Sequence, residues 1–104
     1  MMSILIEQVE RLADEEYQRA AEQHGAVNHS AHESYAVLLE ELEEAGSAGE
    51  LAKKAMGAMW ENVKRDGEIS TDADWIEKNA LWAAAEYIQV AAMARKARET
   101  EAGK

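Results

Sequence analysis

The 104 residues contain no cysteine, no proline and no phenylalanine. Without cysteine the chain has no disulfides, thiolate metal sites or thiol catalysis, which fits a reducing compartment. Without proline nothing interrupts a helix from within, and the dominant Ala, Glu, Leu, Met and Lys favour helix throughout. Basic residues are scarce: 11 stand against 21 acidic ones, for a formal net charge of −10. That sign opposes nucleic acid, whose phosphates attract basic surfaces, and equally opposes an anionic membrane surface. A cation, or an anion bridged by a metal, suits it better. No apolar run approaches the roughly 20 residues of a membrane span. The segment 1–7 lacks the basic and long apolar regions of a signal peptide. The expected location is the cytoplasm, and the length allows one domain, 1–104, with a modest core.

Hydrophobic periodicity predicts four helices, over about 3–24, 30–46, 49–66 and 72–98. In the first, Ile6, Val9, Leu12, Ala13, Tyr17 and Ala20 recur at three- and four-residue spacing, and Gly25 stops it. Ser30 and Glu33 open the second as a capping box, and Gly46 ends it. Leu51, Ala55, Met59 and Val63 stripe the third, which Gly67 closes. Ser70, Thr71 and Asp72 are N-cap candidates for the fourth. Arg95, Lys96 and Arg98 suit the negative end of its dipole, and 99–104 is expected to fray. The short connections favour antiparallel neighbours. The expected fold is an all-α, four-helix antiparallel bundle. Three tryptophans and an alanine-rich helix give so short a chain more apolar surface than four helices hide, so a homodimer or homotetramer is expected to complete it.

Two acidic features carry the functional reading. Glu86 is the only charged residue in the segment 79–94, whose composition is that of a helix buried on most sides. A carboxylate enters such a place with a cationic partner, a metal or a shifted pKa. Arg11, Arg19 and Lys53 are candidate partners. Glu86 shares its helix face with Trp75, Asn79, Trp82, Val90 and Met93, and the tryptophans read more readily as core than as ligand platforms.

The second feature is the run Glu40-Glu41-Leu42-Glu43-Glu44. At about 100° per residue, Tyr35, Leu38, Leu39 and Leu42 fall on one side of the helix. Glu33, Val37, Glu40 and Glu44 fall on the other, with Glu41 beside them. A solvated acidic surface is the ordinary explanation. Against it, no Lys or Arg lies on this helix to offset like-charge pairs, and Val37 amid the acids implies partial cover by another element. Carboxylates at i and i+3, as in Glu41 and Glu44 or Glu40 and Glu43, can share a hard cation that takes oxygen ligands. His29 and His32 beside Glu33 lack a fourth ligand for zinc, and no glutamate has a histidine three residues later, as a di-iron bundle would want.

The run from His32 and Glu33 through Glu40, Glu41 and Glu44, followed by Glu86-Tyr-Ile-Gln89, resembles the MazG-like all-α nucleoside triphosphate pyrophosphohydrolases over about 30–97. The resemblance implies a helical, dimeric or tetrameric enzyme that cleaves nucleoside triphosphates to the monophosphate and pyrophosphate. It implies Mg2+, with Mn2+ as an alternative, held by Glu41, Glu44 and Glu86. Glu40 or Glu44 would act on the attacking water. Gln89 stands where the family has aspartate, and would act as a neutral ligand or a donor to the ligands. The interval of 41 residues between Glu44 and Glu86 exceeds the family's usual spacing, which an additional helix accounts for. Lys53 and Lys54 are candidates to meet the triphosphate charge, with ordinary surface charge as the alternative. Trp60 could stack on a base or serve as core. The competing expectation is a catalytically silent helical protein that keeps the fold, pairs Glu86 with a base and uses its acidic face for a partner.

Overall fold

Glycine inside a helix costs only about 1 kcal/mol relative to alanine, and packing against a neighbour overrides that easily. This decides the architecture. In the computed structural model, which describes residues 2–103, the expected break at 46–49 does not occur. The second and third expected helices are one helix of 34 residues. The described residues form α1 (Met2–His24), α2 (Ala31–Lys64) and α3 (Ser70–Ala102). Ala45 and Ala48, flanking Gly46 and Gly49, are buried and hold α2 together through that stretch. The four-helix count is therefore corrected to three, while the all-α class stands.

α2 and α3 form a long antiparallel hairpin. At its tip Asn62 Nδ2 donates to Asp72 Oδ2 at 2.7 Å. Asp66, at φ 54°, takes the left-handed position of the turn, and the Gly67 N–H donates to the Asn62 carbonyl at 2.7 Å. Ile69 caps α3 without a side-chain bond. Asp72, expected as an N-cap candidate, is drawn instead to Asn62. Ser30 caps α2 as expected, its Oγ accepting from the Glu33 N–H at 3.1 Å. The Glu33 carboxylate faces His29 Nδ1 at 2.9 Å rather than closing the capping box.

α1 ends at Gly25, φ 90°, and packs on the C-terminal half of α3. Arg95 pairs with Asp14 and stacks over the Tyr17 ring, 4.1 Å from its centroid. The end of α3 does not fray. Thr100 is buried, its Oγ1 accepting from the Asn28 N–H at 2.9 Å and donating to the Lys96 carbonyl at 2.8 Å. Asn28 Nδ2 donates to Ser34 Oγ at 2.7 Å, so the α1–α2 loop, α2 and α3 are knotted together.

The buried apolar residues among those described are small: Ala45, Ala48 and Ala92. Of Tyr35, Leu38, Leu39 and Leu42, the expected apolar side of α2, Leu38 is half-buried and the other three are exposed, while Val37 amid the acids is half-buried. Ile6 and Leu12 on α1 are also exposed. So are the three tryptophans, which the sequence reading leaned towards placing in a core. The chain has 7592 Å2 of accessible surface, against roughly 5,800 Å2 for a compact monomer of its mass. Its radius of gyration is 17.6 Å, against about 13 Å for a compact domain of this length. None of the described helices is long and apolar enough to cross a membrane.

Candidate metal and ligand site

The hairpin places Glu41 and Glu44, one turn apart on α2, opposite Glu86 on α3. One carboxylate oxygen of each lies within 4.8 Å of those of the other two. Glu41 and Glu86 are half-buried and Glu44 is exposed. Burial pushes the Glu41 carboxyl above its ordinary range, and the charges of Glu44, Glu86, Glu40 and Glu16 push it further. Glu44 is also raised, first by loss of solvation, then by the charges of Glu86 and Glu40 and a hydrogen bond with Glu86.

No ion pair among the described residues involves these three acids. Of the candidate partners for Glu86, Arg19 pairs with Glu16 at 2.6 Å and Lys53 with Glu50 at 3.4 Å. Glu86 instead accepts from Trp82, whose Nε1 lies 3.1 Å from Oε1. An indole N–H is a donor only, so it fixes one oxygen of Glu86 and leaves the other available to the cluster.

Glu44 and Glu86 line the edge of an open cleft of about 610 Å3 between α2 and α3, and Glu41 lies just beyond it. Ala48, Leu51, Trp75 and Trp82 supply its apolar wall, and Glu44, Ser47, Lys78, Asn79 and Glu86 its polar groups. Trp75 is 57% exposed and Trp82 65%; they are faces of the cleft, not core. Asn79 is buried, and its Nδ2 donates to the Trp75 carbonyl at 2.8 Å. Lys78 faces Asp74 at 2.9 Å.

The remaining candidates lie elsewhere. Glu40 is exposed and reaches the site through its charge. Gln89 is exposed, one turn beyond Glu86, and does not line the cleft. Lys53 is on the exposed side of α2; Lys54 borders one groove with Glu43, Gly46 and Glu50 and another, adjoining the cleft, with Leu51, Trp75 and Asn79. Trp60, 58% exposed, sits under the Lys64 ammonium, 5.9 Å from its ring centroid. The sequence reading did not assign the cleft to Trp75, Asn79 and Trp82. The signal was present, since Trp75, Asn79, Trp82 and Glu86 step along one helix face at four, three and four residues.

The donor set is all oxygen, with no nitrogen or sulfur ligand, and suits a hard divalent cation that keeps some of its waters. Comparison of the chain with protein-family models, with curated proteins and with solved structures finds no match.

Proposed function

We propose that the chain is a divalent-cation-dependent nucleoside triphosphate pyrophosphohydrolase of the MazG-like kind, with Glu41, Glu44 and Glu86 as its ligands for Mg2+ or Mn2+. The observation that carries this reading is the convergence of three carboxylates from two helices, unneutralised by any basic side chain, at the edge of an aromatic cleft. Like charges so placed are unfavourable unless a proton or a cation intervenes.

When bound, the cation supplies positive charge to the substrate's phosphate oxygens and acidifies water. The protein's part is to hold that charge against α2 and α3 and to take a proton. Glu40 and Glu44, both solvent-facing, are the bases available to the attacking water. The water oxygen forms a bond to the α-phosphorus, the bond from that phosphorus to the bridging oxygen breaks, and pyrophosphate leaves. Trp75 and Trp82 offer ring faces to a nucleobase, which stacks on an aromatic without sequence-specific hydrogen bonds.

One observation favours the silent alternative. Among the described residues Lys78 is the one basic side chain lining the cleft itself, and Asp74 holds it, while Lys54 lines the adjoining groove. In that reading the three acids hold no cation, and the acidic face binds another protein. In either case we infer that the chain works as a homo-oligomer, supported by its surplus of accessible surface and its exposed apolar residues.

The test is pyrophosphate release from a panel of canonical and modified nucleoside triphosphates with Mg2+ or Mn2+, run beside Glu86→Gln. Metal-dependent release that the substitution abolishes is expected. No release from any nucleotide, together with no metal-induced rise in melting temperature, overturns the hydrolase reading.

A further inference from the structure

α2 carries a second apolar stripe whose large side chains none of the described residues covers. Residues 35, 39, 42, 46, 49, 53, 56, 60 and 63 step alternately by four and three, the spacing of a helix–helix seam, with Lys53 the one charged residue among them. Tyr35, Leu39, Leu42, Met56, Trp60 and Val63 on it are all exposed. α3 packs instead on the side of α2 that bears Ser34, Ala45 and Ala48. At 1.5 Å per residue the stripe runs roughly 42 Å.

Its middle is Gly46 and Gly49. A Cβ added at either meets nothing within 4 Å, so none of the described residues requires glycine there. Each nevertheless weakens the helix by about 1 kcal/mol relative to alanine. Glycine on a helix face allows another helix to approach closely, and the bulky residues of this stripe flank the glycines on both sides.

We infer that α2 is the seam of a two-fold dimer in which the α2 helices of two copies cross antiparallel at Gly46 and Gly49. The inference rests on the oligomeric reading above and adds to it the face, the direction and the register. Three observations select a second copy in this orientation. Gly49 is the midpoint between Tyr35 and Val63, so a two-fold axis there sets Tyr35 opposite the partner's Val63 and Leu42 opposite the partner's Met56, with Leu39 and the partner's Trp60 one residue out of line. That is the self-complementarity a two-fold interface demands.

The charges point the same way. The first half of α2 holds Glu40, Glu41, Glu43 and Glu44 with no Lys or Arg, whereas Lys53, Lys54 and Lys64 all lie in the second half. An antiparallel crossing sets Glu43, on the flank of the stripe, near the partner's Lys53 and Lys54 and leaves Glu44 facing Glu86, whereas a parallel one would set the Glu43 of each copy side by side. The exposed pairs of Lys53 with Glu50 and Lys64 with Glu61 hold those lysines only weakly. Finally, the chain exposes roughly 1,800 Å2 more than a compact monomer, and a stable interface takes about 800 Å2 from each partner.

The absence of cysteine makes the test direct. Sedimentation of the wild-type chain is expected to give twice the 11.5 kDa of one chain, or a multiple of that dimer. Gly49→Cys, where a side chain meets no neighbour in its own chain, is expected to form a disulfide-linked dimer under mild oxidation. Tyr35→Cys alone is expected to stay unlinked, but to link when mixed with Val63→Cys. Circular dichroism checks that each variant keeps its helix. A wild-type monomer overturns the oligomeric reading and this inference together. A wild-type oligomer in which Tyr35→Cys links to itself, or Gly49→Cys does not link, overturns the antiparallel seam alone.

Discussion

The indole N–H of Trp82 donates to Oε1 of Glu86 across one turn of α3, at 3.1 Å. It orients the Glu86 carboxylate and ties the aromatic wall of the cleft to the acidic cluster. A hydrogen bond to a charged group contributes about 1.5–3 kcal/mol when buried. Trp82 is largely exposed, so about 1 kcal/mol is the better expectation. Trp82→Phe keeps the ring and removes the donor. It should weaken Mn2+ binding about fivefold by calorimetric titration, while Trp75→Phe leaves it unchanged. Equal affinity in Trp82→Phe and the wild type would falsify the orienting role.

A cation bound among Glu41, Glu44 and Glu86 stabilises only the folded chain. At a hundred times its dissociation constant the gain is about 2.7 kcal/mol, and for a domain of this size each kcal/mol moves the melting temperature by about 4–8 °C. Mg2+ or Mn2+ should therefore raise the melting temperature by about 10 °C or more, and should do so far less in Glu86→Gln. Matched NaCl controls separate site binding from ionic screening, which reaches both proteins alike.

The cluster also fixes a pH dependence in the absence of metal. Both Glu41 and Glu44 have carboxyl pKa values raised in the folded chain. Between the ordinary and the raised value the folded state binds more protons than the unfolded one, so this contribution to stability falls as pH rises through that window. Below the ordinary carboxylate range both states are protonated and the penalty vanishes. Glu44→Gln, measured in EDTA, should melt higher than the wild type at pH 7. The difference should shrink towards zero near pH 4. A substitution that lowers the melting point at pH 7 would show that the acids stabilise rather than strain the metal-free fold.

Glu41, Glu44 and Glu86 could be singled out from sequence because each carries a local signal. The first two share a helix face at i,i+3, and Glu86 stands alone among apolar residues. What covers a face is not local. The stripe of Tyr35, Leu39 and Leu42 reads as core by periodicity, yet α3 packs on the neighbouring side that bears Ala45 and Ala48. The same confusion drew Trp75 and Trp82 towards the core. Gly46 and Gly49 read as a helix break because their intrinsic cost is visible and the packing that outweighs it is not. The Thr100–Asn28 contact spans 72 positions and leaves no periodic trace.

That contact yields a prediction independent of any function. The Thr100 hydroxyl accepts from the buried Asn28 N–H and donates to the Lys96 carbonyl. Thr100→Val keeps the shape and removes the hydroxyl, leaving the Asn28 N–H without its acceptor, at a cost of about 1–3 kcal/mol. Thr100→Ser keeps the hydroxyl and loses one methyl group, at a cost near 1 kcal/mol. Urea unfolding should therefore rank wild type above Ser above Val in midpoint. Hydrogen exchange should show the Asn28 amide losing protection in Val while the centre of α3 keeps it. A valine variant as stable as the wild type would mean that the loop is not anchored through Thr100, and that the last turns of α3 owe their order to helix propensity and the Arg95 contacts alone.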